Sequence, residues 1–170
     1  MTQATIKTTN VFHKAYRSST RITCLQGGTR SSKTYSLCQL FIVKALNETG
    51  KVFTICRKTL PALKGTAYRD VLELLKELGL YTEENHNKSE LSYALNGNLI
   101  EFISVDQPQK IRGRKRDYLW LNEANEFNYE DYQQLILRTT DKVYLDYNPS
   151  DPYSWIYDKV ITRDDCTFIK

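Results

Sequence analysis

The chain has 170 residues and a formal net charge of +4, and 41% of its residues are hydrophobic while 26% are charged. This length suits one domain with a hydrophobic core, and the composition excludes a disordered chain. The mild positive charge permits an anionic partner without requiring one, and no apolar run reaches the roughly 18 residues of a membrane span.

The cysteines and histidines give no pattern of a metal site. The four cysteines are Cys24, Cys38, Cys56 and Cys166. They form no C-x-x-C pair and the two histidines, His13 and His86, are far apart in sequence, so we expect buried, reduced thiols and no zinc. The amino terminus lacks the apolar segment of a signal peptide, which favours the cytoplasm.

The first predicted elements are a buried strand and the helix that follows it. Residues 21–26 are short and mainly apolar and run into two glycines, which is typical of a strand entering a turn. Residues 33–47 contain no glycine or proline and carry apolar residues on two faces at helical spacing. They predict a helix that packs on both sides.

Strands and helices continue to alternate along the chain. Residues 51–57 predict a strand, residues 69–78 an amphipathic helix, and residues 91–103 a hairpin that turns at Asn96 and Gly97. Three further strands are predicted, at residues 117–121, 142–147 and 166–170. Two further helices are predicted, at residues 129–137 and 153–160. The alternation predicts an α/β fold with a mainly parallel central sheet flanked by helices, plus an antiparallel hairpin.

Residues 27–34, GGTRSSKT, fit most of the phosphate-loop pattern G-x-x-x-x-G-K-[ST] between a strand and a helix. In such a loop the backbone N–H groups and the positive end of the helix dipole hold phosphates. Lys33 would reach the β and γ phosphates, and the Thr34 hydroxyl would ligate Mg²⁺. Ser32 replaces the second glycine and is the smallest substitute that carries a side chain. The alternative is a glycine-rich turn that caps a helix, with Lys33 on the surface. The predicted nucleotide-binding residues are Gly27, Gly28, Thr29, Arg30, Ser31, Ser32, Lys33 and Thr34.

A second strand ends in polar residues that suit nucleotide hydrolysis. The strand at residues 117–121 runs into Asn122 and Glu123, and Glu126 follows. We assign Glu123 as the base that activates water. Asn122 stands where a metal-associated aspartate is usual, and an amide is a weaker partner for Mg²⁺. We therefore expect Thr34 and phosphate oxygens to do most of the metal binding, with Asn122 as the other candidate. The alternative is a polar loop whose acids cap the next helix.

Basic residues crowd the segment before this strand. They are Lys110, Arg112, Arg114, Lys115 and Arg116. The alternatives are a solvated loop, a contact with the DNA backbone, and an arginine supplied to the γ-phosphate of a neighbouring subunit.

Six other residues are candidates for nucleotide contacts. Arg30 would touch phosphate or relay to Glu123, and Arg57 ends a strand at the expected ligand edge, where a plain surface charge is equally expected. Asn148 precedes Pro149 and either senses the γ-phosphate or forms a turn. Adenine contacts are assigned to Gln26, Phe12 and Tyr16.

Four segments in this order resemble the ATPase domain of phage large terminase subunits, the motors that package double-stranded DNA into procapsids. The segments are residues 27–34, residues 55–59 (ICRKT), residues 119–126 (LWLNEANE) and residues 147–149 (YNP). The resemblance covers about residues 21–170. It implies an ASCE/RecA-like P-loop NTPase that hydrolyses ATP with Mg²⁺, with Glu123 as catalytic glutamate and Asn148 in the coupling motif. It also suggests Arg112 as the trans-acting arginine, with Arg114 and Arg116 close by.

The resemblance further implies the surroundings of such a motor. Residues 1–20 would be an N-terminal segment and residues 21–170 the ATPase domain, with an RNase H-like nuclease domain and its activity outside this chain. Expected partners are double-stranded DNA, the portal protein, the small terminase subunit and further copies in a homo-oligomeric ring on the procapsid in the host cytoplasm, with no membrane partner. Two alternatives are a non-motor P-loop phosphotransferase and a nucleotide-binding regulatory module without turnover, which the amide at Asn122 would permit.

Overall fold

Eight strands form one sheet in the computed structural model, which describes residues 5–28, 32–149 and 154–170. The strands are β1 (Ile22–Gln26), β2 (Val52–Arg57), β3 (His86–Asn87), β4 (Ser92–Leu95), β5 (Asn98–Ser104), β6 (Arg116–Leu121), β7 (Thr139–Tyr147) and β8 (Cys166–Ile169). Their spatial order is β3-β4-β5-β2-β6-β7-β1-β8. All pairings are parallel except those of β3 with β4 and of β4 with β5.

Helices cover both faces of this sheet. They are α1 (Asn10–Arg17), α2 (Lys33–Asn47), α3 (Leu60–Gly65), α4 (Ala67–Glu77), α5 (Pro108–Gly113), α6 (Tyr129–Leu137) and a π-helix (Ile156–Val160), with 3-10 turns at Glu83–Asn85 and Ala124–Glu126. Buried side chains of α1, α2 and α4 form one apolar cluster with one face of the sheet, and those of α5, α6 and the π-helix form another cluster with the other face. Within the described ranges, no helix has both the length and the apolar character required to span a bilayer.

The mainly parallel sheet with its added hairpin is confirmed. The hairpin turns at Asn96 (φ 52°) and Gly97 (φ 77°), the two positive φ angles that a type I′ turn requires. The strand expected at residues 142–147 begins earlier, at Thr139. The helix expected at residues 153–160 is present at Ile156–Val160 and is a π-helix; residue 153 lies outside the described residues. The short elements α1, α3, α5 and β3 were not predicted.

Helix α1 falls in the expected N-terminal segment and packs against α2. Phe12 and Ala15 of α1 are buried in the same cluster as α2. The Thr9 and Ser36 hydroxyl oxygens are 2.6 Å apart, and the Gln39 amide donates to the Lys7 carbonyl (2.8 Å). The division of the chain at residue 20 stays a prediction.

Aromatic packing fixes α2 above the centre of the sheet. Side chains alternate between the faces of a strand, so Trp120 of β6 and Tyr144 of β7 point to the face that α2 covers. The Phe41 ring of α2 lies 5.8 Å from the Trp120 ring and 5.7 Å from the Tyr144 ring. This contact holds the start of α2 over the carboxyl ends of the central strands.

Candidate functional site

Lys33 joins two loops at the carboxyl edge of the sheet. It is the first residue of α2 and is only 7% exposed. Its ammonium group donates to the carbonyl oxygens of Gly27 (2.6 Å) and Gly28 (2.9 Å), which follow β1. It also lies 3.3 Å from Oδ1 of Asn148, the residue after β7. The structure therefore brings Lys33 and Asn148 together, although they are 115 positions apart in sequence.

The backbone at Ser32 has a conformation that glycine adopts more easily than other residues. Its backbone is left-handed (φ 58°, ψ 17°), a conformation that costs a residue with a side chain about 1 kcal/mol. The Ser32 carbonyl accepts from the Ser36 backbone N–H (2.9 Å) and from the Ser36 hydroxyl (2.8 Å), which closes the first turn of α2. Thr34 lies half-buried in the same turn.

Three of the predicted phosphate-loop residues, Thr29, Arg30 and Ser31, lie outside the described residues. The phosphate contacts assigned to them, and the relay assigned to Arg30, stay predictions.

Glu123 follows β6 at the same edge of the sheet. Its backbone is also left-handed (φ 53°, ψ 58°), and its N–H donates to Oδ1 of Asp146 (3.3 Å). Burial raises the pKa of the Glu123 carboxyl, and the negative charge of Asp146 adds to this rise, while the Arg57 cation opposes it. Proton transfer is most efficient when the pKa of the group lies near the working pH, so this environment suits a base.

Asp146 is a central residue of the site that the sequence analysis missed. It is 0% exposed in β7 and accepts hydrogen bonds from the Trp120 indole and from the Asn122 amide. Burial raises the pKa of its carboxyl, and the donated hydrogen bonds and the nearby Lys33 charge oppose the rise. The available signal was an acid inside an apolar strand, two positions before Asn148.

Asn122 is turned toward Asp146. It is 1% exposed, and its Nδ2 lies 3.1 Å and 3.3 Å from the two carboxylate oxygens of Asp146. Its Oδ1 lies 3.5 Å from the oxygen of the Thr66 hydroxyl, which donates its proton to the Ala62 carbonyl (2.6 Å). The metal-binding role assigned to Asn122 stays a prediction, and the amide is held in one orientation by its acidic partner.

The Arg57 side chain extends from the end of β2 to the segment that follows Glu123. Its side chain is 13% exposed, and its guanidinium pairs with both carboxylate oxygens of Glu126 (3.1 and 3.3 Å). It also donates to the Thr66 hydroxyl (2.7 Å). Arg57 is therefore part of this edge rather than a plain surface charge, and Glu126 is engaged with it.

The basic segment differs from the expected loop. Residues 108–113 form α5, and Arg116 belongs to β6. Arg116 is 1% exposed and donates to the backbone carbonyls of Leu135 (3.1 Å) and Ile111 (3.3 Å). The interpretation of Arg116 as a surface cation that competes for the trans-acting role is therefore wrong, because its guanidinium satisfies carbonyls inside the fold.

Arg112 is exposed but distant from Glu123 of its own chain. It lies in the last turn of α5, shortly before β6 begins, and β6 then runs six residues before it reaches the site. At about 3.3 Å per residue, this path is about 20 Å long. Arg112 shares a concave surface with Lys115, Arg138 and the exposed Leu137.

The residues assigned to adenine are separated in the structure. The Gln26 side-chain oxygen accepts from the Tyr147 hydroxyl (3.1 Å) and the Tyr157 hydroxyl (3.3 Å). Phe12 is 5% exposed in the core, so its assignment is wrong because the ring is packed and cannot stack on a base. Tyr16 is 43% exposed and stacks on Phe12 with ring centres 5.6 Å apart. The roles of Gln26 and Tyr16 stay predictions.

Comparison with known families relates most of the chain to one of them. A sequence model of the phage terminase large subunit matches residues 19–169. Comparison of the sequence with curated proteins finds no match.

Solved structures of large terminases share this fold. The large terminase of a thermophilic bacteriophage has a TM-score of 0.83 and 16% identity, with 96% of this chain and 45% of that chain covered. The same protein in complex with ADP has a TM-score of 0.78 and 18% identity, with the same coverage. The large terminase ATPase domain of Thermus phage P74-26 has a TM-score of 0.73 and 15% identity, with 96% and 80% covered. The chain thus spans about 45% of the length of the first of these proteins.

The raised pKa of Glu123 gives a direct test of this site. We expect its carboxyl to titrate above about 4.3, the usual value for glutamate, as measured by carboxyl-carbon NMR. Arg57→Gln should raise this pKa further, because the cation that favours the ionised carboxylate is lost.

The matched control is Lys58→Gln, which removes the neighbouring cation that pairs instead with Asp131 (2.9 Å) and should leave the titration of Glu123 unchanged. A Glu123 pKa at or below the ordinary value would contradict the described burial.

Proposed function

The chain belongs to the phage terminase large subunit family, and on that premise we propose that it is the ATPase domain of a DNA-packaging motor. It binds ATP with Mg²⁺ and hydrolyses it, and hydrolysis drives double-stranded DNA into a procapsid. The observation that carries this proposal is the position of Lys33. Its ammonium group lies between the loop after β1 and Asn148, at the edge that also carries Glu123.

The start of α2 is the proposed phosphate site. Backbone N–H groups and the helix dipole favour an anion there, and Lys33 supplies a cation that phosphate oxygens can share with the loop carbonyls. Structures of the thermophilic phage large terminase in complex with ADP and with ATP-γ-S have this fold, with TM-scores of 0.78 and 0.75. These complexes support the choice of an adenine nucleotide.

The side chains at this edge fit a magnesium-bound nucleotide. Mg²⁺ prefers oxygen ligands and keeps several waters. The Thr34 hydroxyl lies in the first turn of α2, and the Asn122 side-chain oxygen follows β6 at the same edge of the sheet. When bound, the ion neutralises charge on the phosphate oxygens. Thr34 would be the protein ligand of the ion, with oxygens of phosphate and water as its other ligands.

Glu123 is the proposed base. Its carboxylate accepts a proton from the water that attacks the γ-phosphate, and its raised pKa improves that transfer. Asn148 contacts Lys33 from the next strand, so its side chain is placed to respond when the γ-phosphate leaves. Through β7, this response would reach the rest of the domain and couple hydrolysis to movement.

Arg112 is the proposed trans-acting arginine. It is exposed and about 20 Å of strand separates it from its own Glu123, so it can serve a neighbouring copy in a homo-oligomeric ring and not its own site. Arg114 is also exposed, but it pairs with Glu101 (3.7 Å). This difference favours Arg112.

The remaining parts of the motor are proposed from the family. The portal protein and the small terminase subunit are the proposed partners on the procapsid in the host cytoplasm, and the nuclease activity belongs to a further domain outside this chain. Stimulation of ATP hydrolysis by portal protein and DNA, rather than by a small hydroxyl acceptor, would favour a motor over a phosphotransferase.

Substitution of Glu123 tests the proposed chemistry. Glu123→Gln should lower kcat for ATP by about 100-fold or more, because a lost general base costs that much, while nucleotide affinity is kept. Lys33→Ala should instead weaken nucleotide binding. Steady-state phosphate release and fluorescent-nucleotide titration measure the two effects.

Glu126→Gln is the matched control, since Glu126 is a carboxylate three positions away that pairs with Arg57 and should retain most of the activity. Full activity in Glu123→Gln would show that the proposed mechanism is wrong.

Mixing of two inactive variants tests the role of Arg112. Arg112→Ala should keep nucleotide affinity but lower hydrolysis in the assembled ring by about 1,000-fold or more, the usual effect of a lost arginine finger. Rings mixed from Arg112→Ala and Glu123→Gln should regain activity, because some interfaces combine an intact Glu123 with an intact Arg112.

Arg114→Ala serves as the exposed control and should hydrolyse ATP like the unmodified protein. If mixed rings stay as inactive as the two parent variants, Arg112 does not act across subunits.

A further inference from the structure

The end of β6 carries an amide where an acid is usual, and the neighbouring strand carries an acid against it. Asn122 follows β6, and Asp146 lies in β7, where Leu121 pairs with Leu145. The two side chains are 3.1 Å apart at the closest. Both are buried, at 1% and 0% exposure. The acid and the amide thus occupy adjacent positions on paired strands.

We propose that Asp146 supplies, from β7, the negative charge that related phosphate-loop enzymes place at the position of Asn122. Asp146 is a positioning residue in this arrangement: it acts on Mg²⁺-nucleotide binding through Asn122 and Glu123. This assignment rests on the proposed nucleotide site and adds to it a residue outside the expected motif.

The first effect of Asp146 is to orient the Asn122 amide. A carboxylate only accepts hydrogen bonds, so the Asn122 nitrogen must face Asp146 and its oxygen must face away. That oxygen lies 3.5 Å from the hydroxyl of Thr66, the residue before α4. Asn122 therefore directs an acceptor oxygen away from β7 and toward Thr66, and an oxygen of this kind suits a water molecule of a Mg²⁺ shell.

The second effect is on the backbone of Glu123. A left-handed backbone is unfavourable for glutamate, and such a conformation persists only where its surroundings determine it. The Glu123 N–H donates to Oδ1 of Asp146 (3.3 Å). This hydrogen bond stabilises the left-handed backbone of Glu123 and thereby fixes the direction in which the side chain of the proposed base extends.

The cost of this arrangement argues against a role in packing alone. A fully buried carboxylate loses the solvation of water, and well-packed apolar residues often stabilise a fold as well or better. Two of its donors, the Asn122 amide and the Glu123 N–H, belong to the residues assigned to nucleotide chemistry. The charge is thus placed where it acts on the site.

An exchange of the two side chains tests the proposal. The variants are Asp146→Asn, Asn122→Asp and the double variant Asn122→Asp/Asp146→Asn, which restores one acid and one amide in contact. Glu101→Gln is the control, since Glu101 is a buried carboxylate (8% exposed) that accepts from the Thr54 hydroxyl (2.6 Å). For each variant, the affinity for a fluorescent ATP analogue is measured with Mg²⁺ and with EDTA.

In the unmodified protein, Mg²⁺ should increase the affinity for the ATP analogue. In Asp146→Asn this increase should be about 10- to 100-fold smaller, as for other indirect metal partners, while the affinity in EDTA should stay unchanged. The double variant should recover most of the Mg²⁺ effect, and Glu101→Gln should keep all of it. Asn122→Asp alone should also lose the effect, because two carboxylates then face each other.

Two results would overturn the assignment: Asp146→Asn with a normal Mg²⁺ effect, or a folded double variant as defective as Asp146→Asn. Circular dichroism establishes folding, and if Asp146→Asn does not fold, the double variant decides. A protein that binds no nucleotide in either buffer would instead overturn the proposed function, on which the assignment rests.

Discussion

Parallel pairing of β1, β7 and β6 is the constraint on which the site depends. Parallel neighbours end at the same edge of a sheet, so three loops far apart in sequence meet there. The loop after β1 brings Lys33, the loop after β6 brings Glu123, and the loop after β7 brings Asn148. The contact between Phe41 and the Trp120 and Tyr144 rings keeps the start of α2 over this edge. Binding and catalytic groups are thereby held by strands and a helix, although they lie on loops.

Several unfavourable local features lie at this edge. Ser32 and Glu123 both have left-handed backbones without being glycine, as do Leu91 and Asn96 near the hairpin, and Asp146 is a carboxylate with no exposed surface. Such features persist where the surrounding structure determines them, and they cluster at functional sites. Two hydrogen bonds stabilise these conformations: the Ser32 carbonyl accepts from the Ser36 N–H, and the Glu123 N–H donates to Asp146.

Local signals in the sequence predicted the elements that carry the site. Hydrophobic period and glycine positions placed β1, α2, β2 and the hairpin. The polar residues at the ends of two further strands indicated Glu123 and Asn148, and the resemblance supported both. The partnership of Asn122 with Asp146 was missed because it depends on which strands pair and in what register. The burial of Arg116 was missed for the same reason, since its guanidinium is satisfied by carbonyls of α5 and α6. Phe12 was misassigned because the signals of α1, a capping Thr9 and apolar residues at helical spacing, were overlooked in the sequence.

The most direct test of the central claim is a crystal structure with a non-hydrolysable ATP analogue and Mn²⁺, whose anomalous scattering locates the ion. The account predicts phosphate oxygens within hydrogen-bonding distance of the Lys33 ammonium group and the ion beside the Thr34 hydroxyl. A nucleotide bound elsewhere, with Lys33 still on the carbonyl oxygens of Gly27 and Gly28, would contradict it.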